Sequence, residues 1–140
     1  METRVPFAAK WVLSSEYGQE KNVLSEISAI IGRLDPLSTR LDDMLTAVAE
    51  ACLNAFEHGN RLNINLPVRV RMKVDEISYL FHISDEGEGF NSPKREAGSP
   101  EGEEEFRGWG LLFIEALADR WSYGRSRGKF YIEMEFKRSG

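Results

Sequence analysis

The chain has 140 residues, the size of one compact domain with one core. Hydrophobic residues make up 41%, with eight Phe and three Trp, enough apolar surface to exclude global disorder. A formal net charge of −5 argues against a nucleic-acid surface as the main partner.

Residues 1–11 hold no apolar run long enough for a secretory leader, and no stretch approaches transmembrane length, so neither is expected. Residues 8–14 predict a short opening strand. Over 16–31, Val23, Leu24, Ile27, Ile30 and Ile31 take the spacing of an amphipathic helix, with Gly32 as its predicted stop. Pro36 punctuates the chain, and Ser38 is the expected N-cap of a second helix reaching about residue 58. On that helix Leu41, Met44, Leu45, Val48, Cys52, Ala55 and Phe56 share one stripe, and Gly59-Asn60 is the expected C-terminal stop. Cys52 is the one cysteine, so no internal disulfide forms and a reduced, cytoplasmic setting is expected.

The period then changes from helical to two. Val68, Val70, Met72 and Val74 alternate with Arg69, Arg71, Lys73 and Asp75; Ile77, Tyr79, Phe81 and Ile83 alternate with Ser78, Leu80, His82 and Ser84. Only Asp75-Glu76 intervenes, which predicts an antiparallel hairpin. Residues 91–107 are rich in Gly, Pro, Ser and Glu and predict a mobile loop. A helix is expected over 110–117, and segments 121–124 and 130–136 predict a closing hairpin. Strands polar on one side imply a sheet wet on one face, with helices on the other. The expected architecture is one α+β domain over 1–140: a two-layer sandwich with a mixed, mostly antiparallel sheet.

Three segments carry candidate chemistry. Glu50 and Asn54 lie one turn apart on the second helix, off the apolar stripe. An isolated pair of this kind is ordinarily a solvated face. Here Ala47 and Ala51 flank it and leave room for a ligand, and His58-Gly59-Asn60 add polar groups at the same end. An Asn carboxamide oxygen suits Mg²⁺, which takes oxygen ligands and keeps several waters and phosphates. A neighbouring carboxylate off the metal can take a proton from an attacking hydroxyl.

Asp85-x-Gly87-x-Gly89 follows a strand. Its carboxylate can accept a hydrogen bond from an exocyclic amine such as adenine's, and its glycines let the backbone pass beneath a flat base. The plain alternative is an Asp-Gly turn. Neither a P-loop nor a Rossmann fingerprint is present. Arg107-Gly108-Trp109-Gly110-Leu111 joins the loop to a helix, where free N–H groups bind phosphate and Arg107 adds charge. There the plain alternative is a flexible loop before a glycine-started helix. The acidic run Glu101, Glu103, Glu104, Glu105 reads as solvated loop, and His82 as a packing or surface residue. One cysteine and two histidines make no zinc cluster.

Taken together, Glu50-x-x-x-Asn54-Ala-x-x-His58-Gly, Asp85-x-Gly-x-Gly-Phe90 and Gly108-x-Gly-Leu111-x-x-Ile114-x-x-Leu117-x-Asp119 resemble the N, G1 and G2 boxes of the gyrase/histidine-kinase ATPase superfamily. The short form with this spacing is most similar to the anti-sigma-factor serine/threonine kinases of bacterial partner-switching systems. The resemblance implies the histidine-kinase-like ATPase fold, with ATP and Mg²⁺ as cofactors. It implies Asn54 as the Mg²⁺ ligand, Glu50 as general base, Asp85 on the adenine amine, and Gly87 and Gly89 around the base. His58, Arg107, Gly108, Gly110 and Leu111 would be further nucleotide contacts, and 91–107 the ATP lid.

The chain departs from the pattern at Trp109, an indole between lid glycines, and at Gly128-Lys129, where Gly-Thr is common. Its lid is also unusually acidic. The resemblance further implies phosphorylation of a small anti-sigma-factor antagonist and sequestration of a sigma factor by a cytoplasmic homodimer touching neither nucleic acid nor membrane. With no dimerisation-and-phosphoacceptor hairpin, a sensor histidine kinase is not expected. Two alternatives stay open. One is a catalytically silent, nucleotide-dependent binding module, against which the retention of Glu50 and Asn54 counts. The other is the same kinase in a non-sigma circuit, which nothing in the sequence separates.

Overall fold

The computed structural model describes residues 4–87 and 109–138. Its strands are β1 (Phe7–Ser14), β2 (Pro67–Val74), β3 (Ser78–Asp85), β4 (Arg120–Ser126) and β5 (Lys129–Lys137). They form one sheet in the order β1-β2-β3-β5-β4. Every pairing is antiparallel, which narrows the mixed sheet expected from the sequence. The described helices are α1 (Glu20–Leu34), α2 (Leu41–Asn54) and α3 (Trp109–Leu117), and α2 runs on into a π-helical turn, Ala55–Gly59.

Period-two patterning sets the two layers. Val68, Val70, Met72 and Val74 of β2 and Phe130, Ile132, Met134 and Phe136 of β5 are buried, while Arg69, Arg71 and Lys73 point to the open face. The helices supply Val23, Ile27 and Ile31 from α1, Met44, Val48 and Cys52 from α2, and Leu111 and Ile114 from α3. Phe81 and Phe136 meet edge to face across β3 and β5, with ring centroids 6.1 Å apart. The result is an α+β sandwich with helices on one face, as the alternation requires. Burial pushes the Cys52 thiol up to about 12, which suits a core side chain rather than a nucleophile.

Three local expectations are corrected. Gly32 does not stop α1, which runs on to Leu34; the turn closes one residue later, where the Asp35 N–H donates to the Ile31 carbonyl at 2.7 Å. Continuing the helix lets Leu34 pack against the core. Ser38 does not cap α2, because its hydroxyl accepts from the Arg40 N–H, and the helix starts at Leu41. Ile77 is not a core strand residue but is 70% exposed. The Asp75 carboxylate takes the N–H groups of Ile77 (2.7 Å) and Ser78 (2.8 Å), and this turn chemistry holds residue 77 outside the strand.

Two arginines fasten the helices to the sheet. Arg40, before α2, donates to the Leu117 carbonyl at the end of α3 (2.8 Å) and pairs with Asp119 (3.2 Å), and its guanidinium lies over the Phe136 ring. Asp119 in turn accepts from the Lys137 N–H at 2.7 Å. Arg138 grips Asp35 through Nε (2.9 Å) and Nη2 (3.1 Å), and the Tyr79 hydroxyl donates to the same carboxylate. Burial would raise the Asp35 carboxyl, but the hydrogen bonds from Arg138 and Tyr79 outweigh it and hold it below the ordinary value.

A depressed carboxyl stabilises the fold above its unfolded pKa, near about 3.9, and that stability is lost as pH falls through the lower folded value. Asp35→Asn should therefore cost about 1–3 kcal/mol at neutral pH and much less near about pH 2.5. Urea denaturation of both proteins at the two pH values measures the gap. An equal gap at both would show that the ion pair is not its source.

Candidate functional site

The site is built where α2 ends. Asn54 is 4% exposed and Glu50, one turn earlier, is half-buried. The flanking Ala47 and Ala51 do not leave room for a ligand as expected; both are wholly buried, because α2 packs against α1, α3 and β3. Space adjoins the pair elsewhere. Gly110, in the first turn of α3, faces both residues. A Cβ there would lie 3.4 Å from Asn54 Nδ2 and 3.8 Å from Glu50 Oε1.

After Asn54 the helix widens by one residue per turn. The Asn60 N–H reaches back to the Ala55 carbonyl at 2.8 Å, the i to i+5 spacing of a π-turn. The chain then reverses through Arg61 (φ 53°) and Leu62 (φ 58°), both left-handed, a backbone cost that clusters at functional sites. The widened turn lays Gly59 against Asp85, the last residue of β3. Asp85 is 2% exposed, and a Cβ at position 59 would overlap its carboxylate.

Gly87 completes the cradle with φ 64°; a Cβ there would sit 2.6 Å from Arg125 Nη1 and 3.0 Å from the Phe130 nitrogen. Its carbonyl accepts from Arg125 Nη2 at 3.1 Å.

Asn60, expected only as part of a helix stop and as a flanking polar group, has a larger role. It is 2% exposed, and its Nδ2 donates to Ser15 Oγ (2.8 Å) and to the Leu66 and Pro67 carbonyls (3.1 Å each), while its Oδ1 accepts from the Glu86 N–H (2.8 Å). One side chain thus ties β1, β2 and the end of β3 to the π-turn. The signal for it, an Asn after Gly, reads equally as a helix stop.

Burial first, and the negative charge of Glu57 second, raise the Glu50 carboxyl above the ordinary glutamate value. Glu57 accepts from the Tyr17 hydroxyl at 2.6 Å and lies 3.9 Å from His58 Nε2. That hydrogen bond, followed by burial, raises the Tyr17 phenol.

The structure therefore brings Glu50, Asn54 and Gly110 together, and Asp85 and Gly87 together, with the π-turn joining the groups. His58 is half-buried on that turn, and the Leu111 side chain lies in the core. Gly89, Arg107, Gly108 and the stretch 91–107 lie outside the described residues. Among the described residues no three His, Cys, Asp or Glu side chains are placed to hold a metal ion. No described helix is long and apolar enough to cross a membrane. A half-buried, basic carboxylate beside a buried carboxamide can accept a proton next to an oxygen ligand. The Asp85 carboxylate lies between the backbones of Gly59 and Gly87, with the Arg125 side chain against Gly87.

A family model described as the histidine kinase-like ATPase domain matches residues 13–136. The anti-sigma F factor of Clostridium perfringens (strain SM101 / Type A) is 32% identical over 97 residues, covering 66% of this chain and 69% of that protein. The anti-sigma F factor of Clostridium beijerinckii is 30% identical over 66 residues, covering 47% and 46%. Among solved structures, the RsbU and RsbW domains of Rv1364c from Mycobacterium tuberculosis share the fold, with a TM-score of 0.65 at 15% identity. That match covers 94% of this chain and 32% of the larger one. The chain belongs to the histidine kinase-like ATPase family, in the anti-sigma-factor group that its relatives define.

The Gly59–Asp85 contact is open to a double-mutant cycle. Gly59→Ala should destabilise the fold by about 1–3 kcal/mol through overpacking, and the cost should fall sharply when Asp85→Ala removes the carboxylate. Additive losses in chemical denaturation would place the strain elsewhere.

Proposed function

We propose that this chain is an ATP-dependent serine/threonine protein kinase that phosphorylates a small antagonist protein and sequesters a sigma factor. The observation that carries the reading is the half-buried Glu50 carboxylate, raised in pKa, beside buried Asn54 and against Gly110. Family membership and the anti-sigma F factors among the relatives support it.

The residues fit Mg-ATP, which when bound supplies the transferable phosphoryl group. Asn54 offers the oxygen for Mg²⁺, and Asp85, in its glycine cradle, an acceptor for the adenine amine. Gly87 bounds the base, and Gly110 brings the first turn of α3 to the phosphate side. Glu50 takes the proton of the attacking serine or threonine hydroxyl. Antagonist and sigma factor would compete for overlapping surface, so phosphorylation of the antagonist sets which is held. The setting we propose is cytoplasmic. The assembly we propose is a homodimer, for which β1, an edge strand of the sheet among the described residues, supplies the edge.

Three variants divide the roles. Glu50→Gln should keep Mg-ATP affinity but transfer phosphate about a hundredfold more slowly. Asn54→Ala should lose magnesium-dependent binding, and Asp85→Asn should weaken ATP by about tenfold or more. Calorimetry together with phosphate transfer to the antagonist separates the outcomes, and equal loss of affinity at Glu50 and Asn54 sinks the division. Full sigma binding without any transfer would instead favour a silent binding module.

The base works as a carboxylate, so its raised pKa places the acid limb of the rate above the ordinary glutamate range. Removing the neighbouring negative charge with Glu57→Gln should move that limb to lower pH. A limb that stays in place would show that Glu57 does not act on Glu50.

A further inference from the structure

We infer that the open face of the sheet carries a separate binding site for a phosphoryl group, on the side away from Asp85. A groove of about 420 Å³ crosses the sheet there, and Arg71, Ser84, Ser126, Arg127, Lys129 and Tyr131 line it together with His82. Pairing explains why these side chains converge. Arg71 lies opposite His82, Ser84 opposite Tyr131, and Ser126 opposite Lys129, all on the face that the period-two alternation turns away from the core.

Its charge sets it apart from the rest of the face. Among the described residues three cations line it and no carboxylate does, in a chain whose net charge is −5. Two further grooves on this face mix the signs, with Lys73 beside Asp75 and Glu135 in one and Arg120 beside Glu133 and Glu135 in the other. The nearby carboxylates are engaged at the rim. Glu86 pairs with Arg69 (3.1 Å) and Lys129 (3.7 Å), and Glu133 with His82 (3.1 Å). Among the described residues, Arg71 and Arg127 form no ion pair.

The floor and one wall are built features. Gly124 has no side chain, which leaves room for the hydroxyl end of Tyr131; a Cβ there would meet that hydroxyl at 3.1 Å. The Tyr131 ring stacks on His82, with centroids 5.0 Å apart and the planes 17° from parallel. Arg127 holds φ 55° in a two-residue hairpin turn, a position that favours Asn, Asp or Gly. From that turn Arg127 joins the lining of the groove. Guanidinium, ammonium and hydroxyl groups converging without a carboxylate match a tetrahedral oxyanion. The phosphoryl group could belong to a free anion or to a phosphorylated side chain.

The test uses the full ¹⁵N-labelled chain, titrated at constant ionic strength with inorganic phosphate in one arm and O-phosphoserine in the other. Saturable amide shifts are expected at Ser84, Ser126, Arg127, Gly128 and Lys129. They should weaken about tenfold or more in the double variant Arg71→Gln with Arg127→Gly. Glycine suits φ 55°, so that variant should keep the native melting temperature. Asp85→Asn should leave these shifts intact, which separates this site from the proposed nucleotide pocket. Tighter binding of inorganic phosphate identifies a free anion, tighter O-phosphoserine a phosphorylated side chain, and equal binding the shared group alone. Non-saturating shifts in both arms, shifts centred on Asn54 and Gly110, or undiminished affinity in the double variant overturn the site.

Discussion

Asp85 ends the central strand with its carboxylate against the Cα of Gly59, and no residue bearing a Cβ fits position 59 while it stays there. Burying a carboxylate costs several kcal/mol unless its surroundings are fixed and polar, so the contact constrains both elements that make it. An α-helix continued from α2 would present position 59 at another angle; the π-turn rotates it toward β3. Asn60 then holds the Glu86 N–H, so two consecutive residues of the turn grip two consecutive residues at the strand end. The left-handed pair Arg61 and Leu62 follows from this, since the chain must reverse at once to start β2.

The same end of α2 gathers negative charge. Glu50 is half-buried, and Glu57 lies close enough to raise it further. Stability alone would favour a cation beside Glu50, because a second carboxylate opposes ionisation of the first. The Tyr17 hydroxyl solvates Glu57 without neutralising it. A carboxylate left basic at the mouth of a buried polar cluster suits proton transfer, and the geometry costs stability to keep it so.

Much of this fold was legible as period. Alternation over β2, β3 and β5 fixed which side chains are buried, and the spacing of Val23, Ile27 and Ile31 marked the buried face of α1. Boundaries failed where a single polar atom decides them. Ser38 looks like a cap, yet its hydroxyl meets the Arg40 N–H before the helix begins. Ile77 fits the alternation, yet the Asp75 carboxylate captures its N–H. The bridging role of Asn60 was not legible because its partners, Ser15, Leu66, Pro67 and Glu86, come from three separate stretches of chain. Glu50, Asn54, Asp85 and Gly87 drew attention by type and spacing, and the fold sets the first two against Gly110 and the last two beside each other. The role of Gly59 was not legible, since only the fold shows what a Cβ there would strike. The motif's Asp119 has a structural explanation in its pairing with Arg40 and the Lys137 N–H, which closes α3 onto β5.

The end of β3 also shows how one strand serves two faces. Asp85 turns inward to Gly59, and Glu86 turns outward to Arg69 and Lys129. With a side-chain period of two, a one-residue slip of β3 would exchange them. It would bury a residue one methylene longer against Gly59 and move the shorter carboxylate to the rim of the basic groove. The register therefore has to be pinned at this end of the strand. Asn60 Oδ1 holds the Glu86 N–H from the helix side, Arg69 holds the Glu86 carboxylate from the open side, and Arg125 fixes the Gly87 carbonyl one residue on. Three hydrogen bonds from three elements converge on two successive residues, and the position of Asp85 follows from them rather than from the strand alone.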